Sequence, residues 1–432
     1  MKTNQGTSPH SRQGWIIVAT VFLNFAMLYG AWYSCSVFLV ALLREFGWSR
    51  SLVAGSFSVF SLIHGSLSAI MGWMANRVSP KQLLLVGTCL VGSGLLLAGE
   101  TTEWWHLYVA FGVVTAAGIS MAGWVPSVLI VRGWFPDRVG TAIGVASAGI
   151  GIGMSGVVPL TQLLIDWFGW RWAYRILGAA IAGWVLPATL WLIRDPPIDG
   201  SDAAAGARAR RQPAEAGVYW TIASAVRDRR YWALAGVFFC GNFVTQMLLV
   251  HQVAYMVDRG VPVMIAAFVG GGVVGVASIV GKIGWGALSD RIGRELAYTL
   301  GLSCVVASIG ALVLVGMYPV SVFPYLYGVL IGVGYAATAP LTPAAASDLF
   351  GGAGFSTIFG TLQGMMSLGA AVSSWGAGKI FDVTGSYAVA LWVALGSAIL
   401  APIFMWLAAP RRPHPPPGGK PSATSDQLSN LR

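Results

Sequence analysis

Charge is what this 432-residue chain has least of: Asp, Glu, Lys and Arg make up 10% of it, while 56% is apolar and the mean hydropathy is +0.70. So little charge cannot solvate the surface of a water-soluble enzyme of this length, and that class is excluded. Cysteine is scarce too. Cys35, Cys89, Cys240 and Cys304 all fall inside apolar runs, so they read as small buried hydrophobes and not as a disulfide framework. The five histidines (His10, His64, His106, His251 and His414) include no pair at helical metal-binding spacing, and there is no P-loop. These gaps argue against an enzyme, imply no metal and no cofactor, and leave ion or solute gradients as the energy source for any work done.

What the chain does have is long apolar runs. A bilayer core of about 30 Å needs roughly 20 apolar residues per helix. Twelve such runs are present, at 14–41, 50–72, 81–100, 104–131, 138–165, 171–193, 231–256, 263–288, 297–317, 323–349, 354–381 and 387–409. The expected fold is an all-α membrane protein with twelve transmembrane helices in two six-helix bundles, 14–193 and 231–409. The first run is too long for a signal-peptide core and is read as a retained span. Residues 1–13 form an N-terminal tail, and 410–432 a Pro-rich, disordered C-terminal tail. Residues 194–230, with seven Arg and five acids, form a solvated linker. A receptor or scaffold would need a soluble module, and neither linker nor tail supplies one.

The formal charge of +10 acquires its meaning from position. Of the 26 Lys and Arg, 19 fall on the side of the termini and linker, six on the other, and Lys282 lies within a span. That bias predicts both termini in the cytoplasm of a bacterial-type plasma (inner) membrane, with the basic residues facing anionic lipid; nucleic acid is not implied. Trp15, Trp48, Trp104, Trp105, Trp134, Trp170 and Trp232 stand at span ends, as an interfacial belt requires.

The two halves echo one another. Trp15 and Tyr231, Thr141 and Thr357, Gly144 and Gly360, Asp166 and Asp382, and Gly169 and Gly385 are each 216 apart, while Gly72, Asn76 and Arg77 precede Gly286, Asp290 and Arg291 by 214. A duplicated six-helix unit suits a transporter in which two bundles rock around a central cavity. Glycines in the fifth, eighth and eleventh runs (Gly144, Gly149, Gly151, Gly153 and Gly156; Gly271, Gly275 and Gly281; Gly360 and Gly364) would let helices approach and slide, although ordinary membrane packing also favours glycine.

Gly286-Ala287-Leu288-Ser289-Asp290-Arg291-Ile292-Gly293-Arg294 resembles the loop motif of the major facilitator superfamily, between runs eight and nine where that family carries its second copy. The gating residues would be Gly286, Asp290, Arg291, Gly293 and Arg294. Asp290 at a helix end can accept from arginines or face a neighbouring helix dipole, a contact that one conformation makes and another breaks. The first copy keeps only Gly72, Asn76 and Arg77. Two further segments, Gly30 to Arg50 and Gly378 to Tyr387, resemble the monocarboxylate transporter and oxalate/formate antiporter branch. The resemblance implies transport of small organic anions such as lactate or pyruvate with a proton, or in exchange for a counter-anion.

Away from the ends of the runs only His64, His251 and Lys282 can readily carry positive charge, and no acid lies near the middle of any. Lys282 stands eight residues before Asp290, about 12 Å inside the helix end at 1.5 Å per residue. An unpaired ammonium at that depth costs a few kcal/mol, and a substrate carboxylate would neutralise it. The resembling family commonly has arginine there, with an acid or amide one turn earlier; here the pair is Lys282 and Ser278. The competing possibility is a lysine that snorkels to the surface or bonds to backbone carbonyls. His251 and His64, or Lys282 itself, could carry a coupled proton, and His64 reads equally as a packing histidine. Tyr29, Tyr335 and Gln363 near the middles of runs one, ten and eleven, with Asn242 and Gln246 on run seven, could orient a small acid. Asn242, Gln246 and His251 share one cavity only if run seven is broken, because Gln246 and His251 are about 140° apart on a straight helix. Export of apolar or cationic compounds is the weaker alternative, since it calls for an acidic cavity.

Overall fold

The computed structural model describes residues 9–74, 77–135, 139–194, 220–319, 321–352 and 354–409. Among them are helices and no strands. Eleven helical stretches are long and apolar enough to cross a bilayer. One is double: Val139–Trp191 runs for 53 residues, about 80 Å of helix and more than two hydrocarbon cores. It is broken at Gly169, whose φ of 81° and ψ of 162° suit only a residue without a Cβ. Divided there, the chain has twelve spans, as the hydropathy pattern predicts.

The first span is Arg12–Phe46, followed by Arg50–Ser68, Pro80–Ala98 and Trp104–Trp134; the fifth and sixth flank Gly169. The second half contributes Arg229–Asp258, Val263–Ile292, Arg294–Met317, Phe323–Phe350, Phe355–Thr384 and Ala388–Ala408 as spans seven to twelve. Several helices overrun the apolar runs by a turn, because backbone hydrogen bonding continues past the point where the side chains become polar. Their outward faces stay apolar, with Trp191, Trp392, Ile399 and Leu407 exposed, and a helix that is apolar all round requires lipid.

In lipid there is little hydrophobic drive between helices, so close packing and hydrogen bonds hold them together. Gly149 and Gly153 of span five press on the backbone of Phe22 and Ala26 in span one; Gly369 of span eleven presses on Phe239 of span seven. Each bundle thus repeats the same pairing. Gly281 lies against Val333 and Ala336 of span ten, while Gly144, Gly156 and Gly364 face open space. Between bundles, span two packs on eleven and span five on eight. Gln13 bonding to Leu192, Trp134 bonding to Arg194 and Trp220 edge-on to Phe350 mark one end of the molecule, the linker face. Ion pairs Arg171–Glu45 and Arg175–Glu100 mark the opposite, far face.

Three expectations need correction, and one alternative left open is decided. Trp170 is not interfacial: it is 6% exposed, with its ring edge on Phe46. Cys89 is exposed on the outside of the bundle. The end of the linker is packed and not solvated, since Trp220 is buried and Thr221 caps a short helix, Ile222–Ala225. Span seven is one unbroken helix. Residues 195–219, Asn76 and the C-terminal tail lie outside the described residues.

Candidate functional site

Contact between spans five and eight runs from Gly271 against Val158, through Gly275 against Ser155, to Ile279 against Gly151. Lys282 is on the next turn toward the linker face. It is half-buried, with Nζ 5.8 Å from the centre of the Tyr335 ring. Among the described residues it forms no ion pair and no hydrogen bond. Beyond it the packing between spans five and eight loosens: a methyl group on Gly144, two turns from Gly151 along span five, would meet nothing within 4 Å. The amine therefore occupies the level at which the two bundles part. Tyr335 also reaches across the bundles, its hydroxyl donating to Met154 Sδ at 3.8 Å. Tyr33 of span one lies within electrostatic reach of Tyr335 and was not singled out from sequence, although it follows Tyr29 by one helical turn.

The other residues expected at the site do not gather around the amine. Ser278 is fully buried and spends its hydroxyl on the Gly275 carbonyl at 2.8 Å, so it does not assist Lys282. Asn242 is buried and donates to Met366 O of span eleven at 2.7 Å. Gln246 is equally buried, and its Oε1 has no hydrogen-bond partner among the described residues. Tyr29 stacks on Trp32 within the N-terminal bundle, and its ring meets Phe25 edge-on. Gln363 is half-buried two turns into span eleven from the linker face. His64 is half-buried, its Nδ1 3.0 Å from Ser120 Oγ and its ring against Trp32 and Phe60. His251, 3% exposed, is held on both sides, with Nδ1 3.0 Å from the Tyr387 hydroxyl and Nε2 2.8 Å from Ser374 O.

Sequence reasoning missed a clasp at the far face. Arg50, at the start of span two, places Nη2 2.7 Å from both carboxylate oxygens of Asp258 at the end of span seven. Its Nη1 donates to the Tyr387 hydroxyl at 2.9 Å, and its guanidinium lies 3.8 Å over the Phe381 ring. Asp382 accepts from the backbone N–H groups of Arg50 at 2.8 Å and Ser51 at 2.9 Å. Those are orphan donors of span two's first turn, so a residue from the other bundle serves as its cap. The signal was available: Arg50, Phe381, Asp382 and Tyr387 all belong to the two segments that carry the branch resemblance, and here those segments meet.

The motif at residues 286–294 is helical up to Ile292; only Gly293, with φ of 93°, breaks the chain before span nine. Arg294 donates to Asp290 at 2.7 Å, Ser289 at 2.6 Å and Asp348 at 3.2 Å, all within the C-terminal bundle. The acid and its arginine therefore satisfy each other locally. Among the described residues, no ion pair crosses between the bundles at this face. Among the described residues the bundles are thus bonded to each other at the far face and not by ion pairs at the linker face, and Lys282 stands on the linker-face side of the span five–eight contact.

Comparison with known proteins supports this architecture. The family model of the Major Facilitator Superfamily matches residues 21–356, with a second match at 285–430. Monocarboxylate transporter 13 of Bos taurus is 27% identical over 401 residues, covering 91% of this chain and 88% of its own. Monocarboxylate transporter 12 of Rattus norvegicus is 26% identical, covering 94% and 87%, and monocarboxylate transporter 3 of the same species 27%, covering 92% and 80%. Among solved structures, a bacterial homologue of the human lysosomal transporter Spinster, in an inward-facing and unoccupied conformation, aligns with a TM-score of 0.67 at 16% identity, covering 94% of this chain and 98% of that one. Twelve spans in two repeated bundles and the family match together place this chain in the Major Facilitator Superfamily, as a transporter similar to its monocarboxylate transporter branch.

Proposed function

We propose that this protein is a secondary carrier of small organic monocarboxylates, coupled to protons or to a counter-anion, and that the substrate carboxylate binds Lys282. The observation that carries the reading is the half-buried amine with no acidic partner at the level where the bundles part. An ammonium in that position favours an anion, and a single cation suits one carboxylate better than two. Lysine offers a point charge and not a planar fork, so Tyr33 and Tyr335 must do the orienting that a guanidinium would do itself. The linker face, which carries most of the basic residues, is assigned to the cytoplasm of a bacterial-type plasma membrane. The conformation described above is then open inward and shut outward, and alternation would shut the linker face and release the Arg50 clasp. The names of the relatives point to the same substrate class.

The test is uptake of radiolabelled short monocarboxylates into proteoliposomes. Lys282→Ala is expected to reduce uptake at least a hundredfold while leaving the protein folded, and Lys282→Arg to retain part of it. Undiminished uptake by the Ala variant rejects the site. Alkalinisation outside the vesicles during uptake marks proton symport; uptake only into vesicles preloaded with an organic anion marks exchange.

A further inference from the structure

We propose that His251 is the proton-binding residue of the outer gate, and that the Arg50 clasp closes only over its neutral form. The inference rests on the carrier reading and its orientation, and deepens it by naming where the coupled proton acts on the gate.

The hydrogen bonds around His251 have only one consistent assignment. Ser374 O can only accept, so Nε2 carries a hydrogen and donates to it across 2.8 Å. In the neutral ring Nδ1 is then an acceptor, and the Tyr387 hydroxyl 3.0 Å away must donate to it. That hydroxyl spends its only hydrogen on the imidazole and uses its oxygen to accept from Arg50 Nη1 at 2.9 Å. The chain therefore runs in one direction, guanidinium to phenol to imidazole to carbonyl, with every hydrogen placed. It begins on the N-terminal bundle and ends inside the C-terminal one.

A proton added at Nδ1 makes both ring nitrogens donors. The Tyr387 oxygen would then face two cationic donors, imidazolium and guanidinium, while its own hydrogen had lost its acceptor. The conflict is relieved if Arg50 withdraws, and Arg50 is the residue that ties span two to Asp258. The surrounding groups leave no other outlet. Asp382 is already bonded to the backbone of Arg50 and Ser51. On the same helix Tyr255 lies one turn outward beside Tyr387, followed by Asp258 in the clasp and Arg259, which sits over Tyr255. Tyr327 of span ten bonds to Gln252 and not to the ring. A proton arriving from outside while the gate is open would reside at Nδ1 and hold the gate open. Closure follows only after that proton has left for water or for a bound carboxylate, which ties the outer gate to proton movement.

The test is hydrogen exchange of the full-length protein in nanodiscs without substrate, comparing pH 7.5 with pH 5.5 after scaling for intrinsic exchange. In the wild type, exchange of the amides at 49–55 and 378–388 is expected to rise at least fivefold at the lower pH, while spans of the bundle interiors stay unchanged. His251→Gln, whose amide can accept from Tyr387 and donate to Ser374 but takes up no proton, should stay protected at both values. Tyr387→Phe removes the link and should give the same exchange at both pH values. Wild-type protection that does not change with pH, or a His251→Gln variant with the same rise, overturns the proposal. Because no substrate is present, that failure leaves the Lys282 site standing, and a failed uptake experiment would not alter the exchange result.

Discussion

The interface between the two bundles is built differently at its two ends. In its far half it is tight and bonded: Ser58 Oγ donates to Ala371 O at 2.7 Å, and a methyl group at Gly378 would lie 2.7 Å from the Ser51 nitrogen, with Gly65 against Ser367 carrying the contact past the middle of span two. Toward the linker face Gly144 and Gly364 have nothing within 4 Å, and the charged groups among the described residues pair within their own bundle. The apolar residues of a membrane protein gain little by choosing one another over lipid. The difference between the ends therefore comes from where small residues permit contact and where polar groups bridge it. A carrier needs such an interface, since the same helices must trade a closed end for an open one at small net cost.

The largest expected effect comes from removing the room for contact. Gly378→Val would drive a side chain into the backbone of span two's first turn, which cannot yield as a flexible side chain would. Under the proposed alternation, an overpacking penalty of about 3 kcal/mol moves the equilibrium toward the form open at the far face by roughly 100-fold. Gly364→Val, on the same helix but in the open half, meets nothing and should keep the outer gate shut. The measurement is labelling of a cysteine introduced at Ser58 by an impermeant maleimide added from outside. If both variants label alike, the contrast between the two ends is not set by these glycines.

Next in size is the clasp. Arg50→Ala removes an ion pair, a hydrogen bond to Tyr387 and the cover over Phe381. The Arg50 side chain is only 13% exposed, so these bonds are stronger than those of a typical surface pair, and about 2 kcal/mol of charge-assisted bonding is at stake. The same labelling should rise about 30-fold. A rate unchanged from wild type would mean that the packed glycines hold the outer end shut unaided.

Legibility from sequence followed the physics of each feature. The twelve spans were readable because lipid imposes one length and one composition on every helix that crosses it. The break at Gly169 is an example: the length limit of a bilayer demanded two spans from Val139–Trp191 before any geometry was known. Lys282 stood out for the same reason, as an ammonium without a sequence partner in an apolar run. The company it keeps was not readable. Ser278 is at i−4 and on the appropriate face for an ideal helix, yet close packing buries it and its hydroxyl bonds to its own backbone. Tyr33 approaches Tyr335 only through the packing of spans one, five and ten. The clasp joins residues 50, 258, 382 and 387, and no local pattern encodes a contact between residues so far apart in sequence and on different bundles.

The smallest predicted effect sets the duplicated halves against each other. Asp382 and Asp166 are 216 positions apart and end corresponding helices, but their bonds differ. Asp382 accepts from two backbone N–H groups of the opposite bundle, whereas Asp166 accepts from Gln162 Nε2 of its own helix at 2.7 Å. Asp382→Asn keeps one acceptor oxygen, turns an amide donor toward an N–H, and removes the negative charge that favours the start of span two. A cap of this kind is worth about 1 kcal/mol, so outer labelling should rise about fivefold. Asp166→Asn disturbs a bond that stays inside one rigid unit and should leave labelling unchanged, with at most a few tenths of a kcal/mol lost from stability. Equal responses from the two variants would show that the repeat, and not the contact across the bundles, governs both acids; a response from Asp382→Asn alone would locate the gate at a place where the two halves no longer match.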